Sequence, residues 1–165
     1  MPIKSKRKTT PKQDADTKKA AEELSTGETE GLSPEALVLY ATLETGFLAA
    51  CADGELDQEE YDTLGASFNT WTGADLNAEA LESLFEVFIA ALEADGVEGC
   101  IARAASHLDA EQRLAAFDFA AAITIISGDT SEEEIEGLQF IASAFEIDDE
   151  EARDRWIAVS QSLEG

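Results

Sequence analysis

Five carboxylates fall within eight residues of this chain, Asp53, Glu55, Asp57, Glu59 and Glu60, with Gly54 among them. Hard cations such as Ca2+ take about six to eight oxygen ligands from carboxylates, backbone carbonyls and water. A glycine-containing turn with alternating acids supplies several of these. Asp53 falls at an expected helix C-terminus, where the helix dipole disfavours an anion by about 0.3–1 kcal/mol. A bound cation offsets that cost. Glu59 and Glu60 fall at an expected helix N-terminus and are favoured there without any metal. The spacing does not fit an EF-hand loop, in which a longer run of ligands surrounds the glycine. The same residues also read as a helix stop followed by a capped helix start, so a cation site and plain punctuation both stand.

A second copy of this pattern lies 74 positions on, where Gly128, Asp129, Ser131 and Glu134 fall on Gly54, Glu55, Asp57 and Glu60, and Leu138 on Leu64. Each copy is a helix, an acidic glycine-containing turn and a capped acidic helix start. Two similar helical hairpins facing each other across the core are expected. The candidate metal ligands are therefore Asp53, Glu55, Asp57, Glu60, Asp129 and Glu134, with Ca2+ or Mg2+ as the ion.

Two further acids lie on apolar helix faces. Glu44 points into the arc formed by Leu37, Tyr40, Phe47, Leu48 and Cys51, and Asp118 lies near Leu114, Ala121 and Ile125. A buried lone carboxylate is costly, so each must be hydrogen-bonded, protonated or metal-bound. Glu44 and Asp118 are either additional cation ligands facing the acidic turns or carboxylates satisfied by Tyr40, Thr124 or an arginine. Other chemistry has little to stand on. The single histidine, His107, follows Arg103 at an expected helix end and reads as a C-terminal cap. No Glu-x-x-His pair, nucleophile motif or phosphate-binding glycine loop is present. Cys51 and Cys100 lack metal-type spacing and read as small buried hydrophobes.

The elements that carry these residues are helices. Ser33-Pro34 opens one that runs to about Ala52, and Asp57 opens a second, with Glu60 completing a capping box, to about Trp71. Asn77 opens a third ending at Asp95-Gly96, followed by a short helix to His107. Asp109 caps a fifth reaching Ile126, Ser131 a sixth and Asp148 a seventh ending near Leu163. Apolar spacing agrees: Leu81, Leu84, Phe85, Phe88, Ile89 and Leu92 recur at helical intervals. The fifth helix is apolar nearly all round, as a helix at the centre must be. No run reads as a strand. An all-α fold of about seven helices, two pseudo-repeated hairpins around a central buried helix, is predicted.

Charge divides the chain. Residues 1–24 hold seven basic against four acidic groups, whereas the remainder holds four arginines, no lysine and thirty-two acids, for an overall −25. Such a body repels nucleic acid and anionic lipid and attracts cations or a basic protein surface. Residues 1–31 lack aromatics and are rich in Lys, Thr, Glu and Gly. They are expected to form a disordered basic tail, with a weak helix over Asp14–Leu24 as an option. The run Lys4–Lys8 suits an acidic partner, nucleic acid or membrane headgroups, and equally a plain solvated tail. With neither an apolar signal region nor a stretch long enough to span a bilayer, the expected compartment is the cytoplasm.

The segment Ala50-Cys51-Ala52-Asp53-Gly54-Glu55-Leu56-Asp57-Gln58-Glu59-Glu60 resembles the A-x-A-D-G-x-[IV]-x-x-x-E signature of TerB-like proteins, a family named for tellurite resistance. Ile125 to Glu134, followed by Leu138, Ile141 and Ile147-Asp148, resembles that family's second copy, and Asp109 to Arg113 the acidic-x-x-Arg segment before it. The resemblance spans about residues 33–163. It implies an all-α fold of about seven helices, a non-enzymatic cytoplasmic role in stress or metal-ion responses, and calcium-type cation binding. The second copy departs from the signature, with Ser127-Gly128-Asp129 in place of A-D-G, which puts a second symmetric site in question. The alternative function is an acidic interaction module that docks or masks a basic protein surface without a specific metal site.

Overall fold

The computed structural model describes residues 11–25, 31–54, 56–126 and 132–164. Among these the chain forms seven α-helices and no strand: α1 (Pro11–Ser25), α2 (Pro34–Ala50), α3 (Gln58–Thr72), α4 (Ala78–Ser106), α5 (Ala110–Ile126), α6 (Glu132–Ala144) and α7 (Asp149–Glu164). A single 3₁₀ turn, Cys51–Asp53, extends α2. No helix among the described residues is long and apolar enough to cross a membrane.

The start signals act as the sequence predicts. Ser33 Oγ accepts from Ala36 N at 3.2 Å, Asn77 Oδ1 from Ala80 N at 2.8 Å, and Asp148 Oδ1 from Glu151 N at 2.9 Å. Asp109 and Gln112 exchange two such bonds at 2.8 Å. Each satisfies a backbone donor that the first helical turn leaves without a partner. Ser131, expected to cap α6, lies outside the described residues.

Helix α4 is two helices in one run. Gly96 sits at φ 74°, ψ 172°, a conformation that side chains with a Cβ avoid, and breaks the helix where a stop is expected. His107 ends the second half, its backbone N–H reaching Ala104 and Ala105 carbonyls.

The first helices of the two hairpins, α2 and α5, pack along each other more extensively than any other pair. Gly46 permits this: a Cβ there would lie 2.3 Å from the Phe119 ring. α5 is the central helix, with Ala116, Phe117 and Phe119 to Thr124 all buried. Around it, Phe47, Phe85, Phe88 and Tyr61 form one aromatic group, and Phe68, Phe119 and Trp71 another. Each fully buried side chain of this size contributes about 1.5–3 kcal/mol over an exposed one.

Helical structure also reaches into the segment expected to be a disordered tail. Ala20, Ala21 and Leu24 of α1 are buried against α2 and α4, and Glu23 Oε1 accepts from Ser33 N at 2.9 Å. That bond holds the Glu23 carboxyl below its usual range. Two alanines and one leucine leave a faint apolar signal, and their burial depends on partners supplied from elsewhere in the fold. Residues 1–10, with the basic run, lie outside the described residues.

Candidate functional site

The first acidic turn begins as the chain leaves α2. Gly54 closes the 3₁₀ turn, its N–H bonding Cys51 O at 3.0 Å, with φ at 135°. Half-buried Leu56 then fixes the approach to α3. Asp57 Oδ1 accepts from Glu60 N at 2.8 Å while Glu60 Oε1 accepts from Asp57 N at 2.9 Å, the reciprocal capping box that the sequence predicts. Both carboxylates are exposed, and an ionised carboxylate has more acceptor capacity than one such bond uses. Asp53 is described for its backbone alone; Glu55 and Asp129 lie outside the described residues.

The structure brings the second hairpin onto this turn. α6 packs against the 3₁₀ turn, and a Cβ on Gly137 would lie 2.9 Å from Cβ of Ala52. Glu134 is one helical turn before Gly137, on the neighbouring surface of α6, and is only 5% exposed. Glu134 is thus buried one helical turn from the contact between α6 and the first turn. Among the described residues no three His, Cys, Asp or Glu side chains converge into a group able to hold a metal ion.

Glu44 and Asp118 are satisfied elsewhere. Glu44 is 1% exposed and pairs with Arg103 at 3.5 Å, while Arg103 also holds Asp95 at 3.1 Å and Cys100 Sγ at 3.6 Å. Burial raises the Glu44 carboxyl above the usual carboxylate range, and Arg103 reverses this only in part. The same burial pushes Tyr40 up to about 12, with the Glu44 charge adding to it and Arg103 opposing. Burial also raises the Cys100 thiol, which keeps it protonated and unreactive. Nine positions separate Glu44 from Asp53, so their Cα atoms lie about 13 Å apart at helical rise. Glu44 is a buried ion-pair partner, away from the acidic turn. Asp118 takes a two-pronged bond from Arg155, at 2.9 Å and 3.0 Å, between α5 and α7.

These arginine partners were not individually foreseen, although a signal exists. Only four arginines and no lysine follow residue 24, so any acid closed inside must draw on that pool. Arg113 is also committed, to the Ala105 carbonyl at 3.0 Å and the Phe145 carbonyl at 3.5 Å, tying the ends of α4 and α6 together. No family model, curated protein or solved structure matches this chain.

Proposed function

We propose that this protein is a non-catalytic, TerB-like acidic helical domain that binds a divalent cation of the Ca2+ or Mg2+ class at the seam between the first acidic turn and the start of α6, in a cytoplasmic stress or metal-ion response. One juxtaposition supports this reading. Buried Glu134 lies one helical turn before Gly137, where α6 closes onto Ala52, next to Asp53 in the chain. Asp53 and Glu134 would supply charge, with backbone carbonyls of the turn and water completing an oxygen shell of the kind these ions take. Burial makes Glu134 the dominant member, because attraction between a carboxylate and a cation grows as water is excluded.

Calorimetric titration of Ca2+ and Mg2+ into metal-free protein at about 0.15 M salt, where exposed charges are screened within about 8 Å, tests the proposal. Saturable binding that is lost in both Asp53→Asn and Glu134→Gln, with helical content unchanged, is expected. Binding that is weak and insensitive to both substitutions would reduce the turn to helix punctuation.

A further inference from the structure

α6 and α7 meet in a tight turn. Glu146 takes φ 63°, and the N–H of buried Ile147 reaches Ala142 O at 2.8 Å, so that α7 folds back beside α6. Between the two helices a cleft of about 480 Å³ opens, floored by Phe117, Leu138 and Ala142 and walled by Ile135, Ala152 and Trp156. Ile135 is 42% exposed at its mouth and Trp156 is half-buried. A concave apolar site of this size accepts two or three side chains, and an apolar patch rimmed by polar groups is a common mark of a protein-binding surface.

Charge states what the occupant must be. α6 carries exposed Glu132, Glu133 and Glu136 and no basic residue. α7 contributes Asp149 and Arg153 to the cleft, whereas Glu150, Glu151 and Asp154 lie with Arg155 on the side toward Asp118 of α5. A second copy of the chain would bring two bodies of −25 face to face, which electrostatics opposes. A basic helix with an apolar stripe satisfies both features. Its apolar anchors, spaced at successive turns, fill the cleft, while lysines or arginines on its flank meet the exposed acids of α6.

We infer that the α6–α7 groove is a docking site for a basic amphipathic helix of a partner protein, with Ile135 and Trp156 as the gripping side chains. This does not depend on the cation reading, and the test is run in chelator to keep the two apart. Trp71→Phe leaves Trp156 as the only tryptophan, and its emission is followed while a synthetic leucine/lysine helix is added to the full chain. A saturable blue shift is expected, absent with a peptide of equal charge whose leucines are glutamines. Ile135→Asp, at an exposed position, should weaken binding about tenfold or more with helical content intact. Four results would overturn the inference: an equal response to the glutamine peptide; unchanged affinity in Ile135→Asp; a peptide-free dimer that Ile135→Asp dissociates; or a Trp156 shift on neutralising Lys4, Lys6, Arg7 and Lys8, which would make the chain's own basic run the occupant.

Discussion

Glu44 shows how an acid can be read correctly as interior, with an arginine among its expected partners, while the particular arginine stays hidden. Its place in the apolar arc of α2 is a matter of helical geometry, visible from residue spacing. Its partner Arg103 lies 59 positions away, and the pairing depends on the direction α4 takes after Gly96, which no local pattern encodes. Asp118 and Arg155, 37 positions apart, are hidden for the same reason. The raised carboxyl of Glu44 has a stability consequence with a definite sign. A raised folded-state value contributes stability at pH below the unfolded carboxyl's value, about 4.3, and loses it as pH rises through the folded value. Above the folded value the carboxylate is held less favourably in the folded chain than in the unfolded one. Glu44→Gln should melt above wild type near pH 8, and the gap should close near pH 4, as thermal unfolding at both would measure. A lower melting point for the variant near pH 8 would mean that Arg103 returns more than burial costs.

Elements are where the sequence is most legible, because helix starts are local chemistry. Ser33-Pro34, the Asp57–Glu60 box, Asn77, Asp109 and Asp148 each announce a helix within four residues, and each makes its predicted bond. Close approaches between helices are less visible, since a glycine inside a helix announces nothing about what crosses it. Gly46 is the clearest case. Alanine there gains about 1 kcal/mol of helix propensity. Its Cβ would meet Phe119 at 2.3 Å and Leu64 at 3.3 Å, and overpacking of a tight core costs about 1–3 kcal/mol. Gly46→Ala should lower the urea midpoint; a rise would show that α2 and α5 have room to spare. The first helix, α1, stands in the sequence only as a weak option over Asp14–Leu24, because its buried face is two alanines and a leucine, too little apolar surface to stand out before α2 and α4 are in place.

At the scale of the whole molecule, charge sets the terms. With a net −25, the folded body repels itself, and screening should strengthen it. Sodium chloride is expected to raise the unfolding midpoint progressively from low salt, reporting general screening. If the seam at Glu134 binds Ca2+, then at matched ionic strength Ca2+ adds a further saturating gain, about 2.7 kcal/mol at one hundred times the dissociation constant. Equal curves for the two salts would leave screening alone. The same distribution of charge also confines one kind of reactivity. Every lysine lies at or before Lys19, and α1, which carries Lys18 and Lys19, rests on α2 and α4. Acylation, amine-coupled dyes, surface immobilisation and conjugation of a modifier protein to a lysine must therefore all enter through the N-terminal end of the chain, and the acidic faces of α6 and α7 offer them no amine at all.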